Sequence, residues 1–421
     1  IEATNAVGST TQTFTLQTAD VISTEWEIVQ PSRMNSQVNH AFVADDGSLW
    51  LARDTAWVSV STDQGSTWTH MQLPQTEASV LSVFALTKDI AWAGTGGPQS
   101  LVNTGSGHIW NTTDGGQTWT QQLYGIDSRF GNLHFWDTDN GIAVSQGAKD
   151  SADVYLTSNG GVTWNRAAER PLARIPLYNT LIFADRSNGW FASSNVYEND
   201  DANVLRTTDG GQSWEVKGAG TGIGYVSDIA FVDPLKGWFV DEISRRVKRT
   251  VAGGQRWISA FYPMSGERLV GVHADPVSRV VWILSDEHAW VSADDGGTWT
   301  KTTLIPAGSM QGLAFADSLR GWAVTKNGIV ERKIGDPLVT TVAREPLPAK
   351  LQLGSAYPNP VAAATDAVMI PFRLAQDQHV RLTVCNAAGR EIATLLDRSM
   401  QPGEHIRVWD PRGFSNGVYF I

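Results

Sequence analysis

The 421-residue chain contains a single cysteine, Cys385, so no intramolecular disulfide can hold it together. Long apolar runs are missing as well. None approaches the ~18 residues that a membrane-spanning helix needs, and no transmembrane segment is expected. Charged residues make up only 18%, and 32 basic against 43 acidic side chains leave a formal net charge of −11. That balance argues against nucleic acid or an anionic membrane as a general partner. The eight histidines are dispersed, no His-Glu-x-x-His occurs, and one cysteine cannot build a zinc site. No metal and no cofactor is expected. The chain starts at Ile1 without an initiator Met or a signal-peptide pattern, which reads as a fragment of a longer, soluble product.

Glycine and tryptophan are plentiful, at 40 and 18, a composition of turn-rich β structure. They are placed regularly. The stretch Thr112–Trp119 (TTDGGQTW) has close copies at Ser61–Trp68, Thr157–Trp164, Thr207–Trp214, Thr250–Trp257 and Ser292–Trp299. A short acidic side chain at its third position can accept backbone N–H groups further round the turn, and the glycines can adopt φ > 0. Asp63, Asp114, Asp209 and Asp294 fill that position, with Asn159 as a weaker substitute. The closing Trp68, Trp119, Trp164, Trp214, Trp257 and Trp299 can each bury a large area against a neighbouring sheet. In the fifth copy Ala252 replaces the Asp and Arg256 the Thr. A lost hydrogen bond costs about 1 kcal/mol and a buried Trp contributes several, so that turn should survive.

The box tryptophans at 68, 119, 164, 214, 257 and 299 are separated by 51, 45, 50, 43 and 42 residues. Ahead of each box runs a second phrase, an apolar strand, an acidic turn and a Gly-Trp-like strand start. It is clearest at Phe135–Ile142, Phe183–Trp190, Phe231–Trp238 and Phe315–Trp322, with looser copies ending at Trp50, Trp92 and Trp282. A period of roughly 40–50 residues with about four strands per unit predicts a β-propeller. Six boxes against seven Gly-Trp phrases are reconciled if Trp26–Pro31 supplies the last strand of a seventh blade, closing the ring and removing exposed sheet edges.

The D-x-x-x-G-W and T-x-D-G-G-x-T-W phrases together resemble the propeller family of the photosystem II assembly and stability factor. That family lies within the Asp-box (BNR-like) group that includes sialidases, sortilin-type receptors and xyloglucanases. The resemblance implies a seven-bladed propeller over 20–336, with the boxes on its outer, structural side. Residues 1–19 resemble the last hairpin of a bacterial immunoglobulin-like domain through Ala3-Thr4-Asn5 and Gly8, and read as a remnant of an upstream domain. Residues 337–350, with Pro337, Pro346 and Pro348, read as a linker.

Residues 351–421 resemble a type IX secretion C-terminal sorting domain, an immunoglobulin-like β-sandwich, truncated at its C-terminus. The matching residues are Tyr357-Pro358-Asn359-Pro360, Val380–Val384 leading into Asn386–Ile392, Pro402–His405 with Trp409, and Ser415–Phe420. This resemblance implies the type IX machinery as a partner and a secreted or outer-surface location on a Gram-negative bacterium.

Arg174-Ile175-Pro176 copies the phrase that presents an arginine to a sugar carboxylate in sialidases, but it stands before the fourth blade and reads as a loop. Paired-carboxylate catalysis needs two acids facing one another ~5–10 Å apart, and the acids not claimed by turns are Glu198, Asp201, Asp241, Glu242, Asp286 and Glu287. Asp137-Thr138-Asp139-Asn140-Gly141 opens like a calcium loop, yet Ala148 stands where the twelfth-position Glu would, so it reads as a strand turn. With the boxes on one face, the binding loops of the other are 95–108, 173–179, 194–203, 241–246 and 285–288. Candidate contact residues are Arg174, Tyr178, Tyr197, Glu242, Arg245 and Arg246, a mixture of charge and aromatic surface suited to protein or glycan. The favoured reading is a non-enzymatic scaffold for an extracellular protein or polysaccharide. The alternatives are a sialidase- or xyloglucanase-type glycoside hydrolase and an assembly factor for a membrane complex.

Overall fold

In the Gly-Trp phrase, an antiparallel hairpin brings the leading Phe opposite the Gly. Phe231 pairs with Gly237 across the ladder, and in the computed structural model of the protein a Cβ on Gly237 would lie 2.5 Å from the Phe231 ring. The same overlap, at 2.2–2.4 Å, joins Phe135 to Gly141, Phe183 to Gly189 and Phe315 to Gly321. Only glycine leaves room for the ring. The acid between them closes the hairpin. Asp137, Asp185 and Asp233 each accept the backbone N–H groups two and three residues on, at 2.7–2.9 Å, so the calcium-like stretch is a strand turn.

Seven first-to-second-strand hairpins, four of them with this Phe–Gly pair, build seven blades of four antiparallel strands, six as separate sheets and blade six within a larger one. Blade one runs Val38–Val43, Leu49–Arg53, Trp57–Ser61 and Thr69–Gln72. Blades two to six follow over 79–125, 129–166, 182–217, 226–261 and 269–303. Blade seven takes Met310–Phe315, Gly321–Thr325 and Val330–Lys333 from this end of the chain and Trp26–Gln30 from the other, with Trp26 opposite Lys333. The structure describes residues 2–5, 8–11, 26–30, 34, 36–74, 78–96, 107–125, 128–146, 152–167, 179–193, 203–217, 225–263, 266–303, 310–316, 320–328, 330–333, 352–356, 368–400, 403–411, 414–415 and 417–421. Among them there is no helix.

The core lies between blades. Trp50, Trp92, Trp190, Trp238, Trp282 and Trp322, which open the second strands, are at most 1% exposed. Several reach the next blade: the indole N–H groups of Trp92, Trp190 and Trp322 donate to Gly160, Gly253 and Gln64, the fourth residue of the following box, at 3.1–3.2 Å. The box tryptophans are less uniform than their sequence suggests. Trp68, Trp119, Trp164 and Trp214 are only half-buried, and Trp68 and Trp214 fold back onto Gly65 and Gly211 of their own turn.

Within the box the constant bond comes from the first position. Ser61, Thr112, Thr157, Thr207, Thr250 and Ser292 accept the N–H of the fifth residue at 2.8–3.0 Å in all six copies. The third-position acid adds the far side of the turn: Asp114 accepts the Thr118 N–H at 2.9 Å and its hydroxyl at 2.6 Å. This explains why box five keeps its shape without an acid, with Gly253 and Gly254 at φ +62° and +92°.

After the ring the chain forms a β-sandwich. One sheet holds Glu391–Met400, Gln378–Asn386 and Tyr419–Phe420; the other holds Gly403–Trp409, Val368–Leu374 and Gln352–Leu353. Ile370, Phe372, Leu382, Val384 and Trp409 fill the space between them. The second sheet does not end at the sandwich. Gly403–Trp409 pairs with Thr298–Thr303 of blade six, making one seven-stranded sheet. At the other terminus Glu2–Asn5 and Gly8–Thr11 form a two-stranded hairpin. The 337–350 segment and Tyr357–Pro360 lie outside the described residues.

Candidate functional site

The first strands of the blades surround a central channel of about 710 Å³. Six of them carry a β-bulge at the same place, and the residue that follows it is His40, Ser82, Asn132, Asp228, Gly271 or Gly312. Thr180 stands three residues before Phe183, as Asp228 does before Phe231. A bulge turns a side chain out of the ladder, and here several of these side chains bond the neighbouring blade. His40 Nδ1 accepts the Val83 N–H at 3.2 Å, and Ser82 Oγ donates to Phe130 O at 2.9 Å. Asn132 Oδ1 accepts the N–H groups of Thr180 and Leu181 at 2.9 and 3.2 Å, and Asp228 Oδ2 accepts that of Val272 at 2.9 Å. The channel wall is thus a polar girdle stitching blade to blade.

Toward the box face the lining becomes aromatic. His134 lies 5.0–5.4 Å, centroid to centroid, from Phe84, Trp136 and Phe183, and His273 stacks on Phe315 at 4.7 Å. Burial pushes His40 and His134 down to about 3 and His273 to about 4. All three are neutral at pH 7, as His40 must be for its Nδ1 to accept a proton donor. Burial also raises the Asp228 carboxyl to about 7, against the opposing pull of the Val272 and Ile229 N–H groups. The middle of the channel is therefore rich in ring surface, with its histidines neutral and Asp228 titrating near neutral pH.

Fixed charge appears at the opposite mouth. Arg268 Nη1 donates to Glu242 Oε1 at 3.0 Å and Nη2 to Met310 O at 3.4 Å, linking blades five, six and seven. Asp286 accepts the Arg268 backbone N–H at 3.1 Å, fixing the loop that carries it. Glu242 and Arg268 both line the channel.

Of the residues singled out from sequence, Glu242 reaches this mouth. Arg245, at φ +54°, donates to Gly266 O, and Arg246 lies 6.0 Å over the ring of Tyr262; neither lines the channel. Arg174, Tyr178 and Tyr197 lie outside the described residues. Asp241 is fully buried and accepts the Ser244 N–H and hydroxyl, which makes it a turn cap. Although no metal is expected from sequence, one described group brings ligand atoms of Glu267, Glu287 and His288 within 4.8 Å of one another. Its buried member is already engaged, since Glu267 accepts the Ser285 hydroxyl and lies 3.0 Å from His288 Nδ1. His288 Nδ1 meets Glu267 in distance but not in hydrogen-bond alignment.

Sequence reasoning passed over Arg268 and the girdle. The girdle had a signal: a polar residue three places before the phrase's Phe, in Asn132-Leu133-His134-Phe135, Thr180-Leu181-Ile182-Phe183 and Asp228-Ile229-Ala230-Phe231. Arg268 had none, because its partners lie 26 and 42 residues away.

No family model matches the chain, and no curated protein does. Solved propellers resemble it in fold. YCF48 bound to a D1 peptide superposes with a TM-score of 0.58 at 17% identity, covering 74% of this chain and 97% of that one. YCF48 from Cyanidioschyzon merolae gives 0.56 at 19% identity, over 73% and 98%. The GH74 enzyme of Niastella koreensis gives 0.56 at 14% identity, over 86% of this chain and 64% of its own. These likenesses establish the propeller and include both an enzyme and a peptide-bound protein.

Proposed function

We propose that this protein is a non-enzymatic Asp-box propeller that binds an extracellular protein segment or polysaccharide at the channel mouth marked by Glu242 and Arg268. The observation that carries the reading is the state of two of the four carboxylates that line the channel, the other two, Asp45 and Asp185, being exposed in turns at the box face. Asp228 accepts two backbone N–H groups and Glu242 is held by Arg268, so each already serves the scaffold. Neutral rings with a cation–anion pair at the mouth opposite the boxes suit recognition of an extended chain, where apolar contact supplies affinity and a few polar groups fix orientation. The likeness to a YCF48 that carries a D1 peptide supports a peptide-like occupant. In this reading Arg174, Tyr178, Tyr197, Arg245 and Arg246 are further proposed contact residues.

The C-terminal sandwich is proposed to be a type IX sorting domain that delivers the chain to the outside of a Gram-negative cell. Its support is the sandwich fold together with the Asn386–Arg390 turn, where Asn386 accepts the N–H groups of Ala388 and Arg390 at 3.0 Å.

Peptide and glycan arrays probed with the full chain test the binding claim. One class of ligand should bind, and Arg268→Ala should weaken it about tenfold or more while leaving thermal unfolding within a few degrees. Release of reducing sugar from a β-glucan, abolished by Glu242→Gln, would instead make the protein a hydrolase. For export, cell fractionation in a type IX-competent host should find the chain outside and a variant lacking 351–421 retained.

A further inference from the structure

Box six carries a residue that no other box has at three positions, Ala293 at the second, Asp295 at the fourth and Gly297 at the sixth, and the last of these faces the strand that docks on it. At the sixth position the other five carry Ser66, Gln117, Val162, Gln212 and Gln255. The turn does not ask for glycine there, since five boxes make it with a side chain and Gly297 has no left-handed φ. What asks for it is Arg407 of the sandwich: a Cβ on Gly297 would lie 2.4 Å from Arg407 Nη1. Arg407 could swing away only by leaving Asp294 Oδ2, to which it donates at 3.1 Å.

The surrounding contacts fit the same arriving strand. Arg398 Nη2 donates to the same Asp294 oxygen at 3.1 Å and to Thr298 Oγ1 at 3.2 Å. Val408 N–H donates to Gly297 O at 3.0 Å, and Trp299 faces Ile406 across the ladder in the apolar cluster that also holds Met369. Neighbouring edges lack this combination. Box five offers Ala252 in place of the acid and adds the like-charged Arg256, and the outer strand of blade seven, Trp26–Gln30, arrives without a box.

We propose that the outer edge of blade six is an addressed strand-docking site, in which the Asp294 carboxylate and the space left by Gly297 admit an edge strand flanked by arginines. Its occupant is this chain's own C-terminal sandwich. Main-chain pairing supplies adhesion at any sheet edge, and side-chain pockets beside it supply selectivity. Box six is then a turn that has also become a receptor, and docking covers an edge that would otherwise template self-association.

Hydrogen–deuterium exchange on the full chain tests this. Gly297→Gln copies boxes two, four and five, and Asp294→Asn copies Asn159 of box three, so each substitution is native to the same turn elsewhere in the ring. Each should speed amide exchange in 403–409 and 298–303 about tenfold or more, leave 281–292 protected, and add little to Arg407→Ala. Asp209→Asn, in a box whose acid bonds Thr207 and Ser213 of its own turn and no arginine among the described residues, should change nothing in 403–409. Unchanged exchange at 403–409 in both Gly297→Gln and Asp294→Asn would overturn the proposal. Should blade six itself lose protection, Arg407→Ala decides, because it lies outside the blade: faster exchange confined to 403–409 and 298–303 supports the site, and none refutes it.

Discussion

The indole of Trp190 lies flat on the ring of Phe231, 3.6 Å between centroids and 6° between planes. Trp190 belongs to blade four and Phe231 to blade five, and Trp92 meets Phe135 in the same way at 3.6 Å and 11°. Each Phe is also pinned over the glycine of its own hairpin, so one ring couples the fold of a blade to its docking on the previous one.

Gly237→Ala should therefore destabilise by about 1–3 kcal/mol, the usual cost of forcing extra volume into a packed core. Gly312→Ala is the control, because nothing lies within 4 Å of a Cβ there; it should stay within about 0.5 kcal/mol. Urea unfolding followed by tryptophan fluorescence measures both.

Removing the box's first-position hydroxyl should cost more than removing its acid. Thr112 is 1% exposed and satisfies the buried Gly116 N–H, so Thr112→Val strands a donor, at about 1–3 kcal/mol. Asp114→Asn keeps an acceptor in the geometry that Asn159 already uses toward Thr163, and should fall clearly below Thr112→Val in the same unfolding series.

Acid should loosen the boxes. The hydroxyl and N–H of Thr118 hold Asp114 down at about 2, from an ordinary 3.8, and the Thr67 hydroxyl lowers Asp63 in the same direction. A carboxyl depressed in the folded state stabilises it above the unfolded value, and that contribution is lost as pH falls from about 4 toward 2. The melting temperature of Asp114→Asn should depend less steeply on pH across that window than the wild type's.

Asp228 has the opposite sign. Its carboxyl is raised to about 7 by burial, so the folded state binds the proton more tightly and stability is lost as pH rises from about 4 to about 7. Each pH unit of that interval is worth at most about 1.4 kcal/mol. Asp228→Asn should be as stable as the wild type near pH 4 and more stable at pH 8, with Asn132 as precedent for an amide at this bulge. Parallel urea titrations at the two pH values check it, and equal stability at pH 8 would refute the assignment.

Much of the fold could be read from particular residues. The spacing of Trp68 through Trp299 and the seven Gly-Trp phrases specify seven blades, and Trp26 specifies how the ring closes, because both phrases are local hairpins whose turn acids and glycines act within eight residues. Box five's survival without its acid was legible for the same reason, although the hydroxyl of Thr250 that sustains it was not credited.

What needed three dimensions were the contacts between units. Glu242 could be placed on the face opposite the boxes from its position in a loop, but Arg268 became its partner only when blades five and six were set side by side. The girdle polars looked like scattered exceptions in apolar strands until the bulges turned them toward the next blade. Asp294 reads in sequence as one more structural turn. That it also holds Arg398 and Arg407, more than a hundred residues onward, depends on a sheet edge meeting a second domain. Local turn chemistry is written in spacing, whereas hydrogen bonds and ion pairs between distant segments depend on which surfaces packing brings together, and only the tertiary structure decides that.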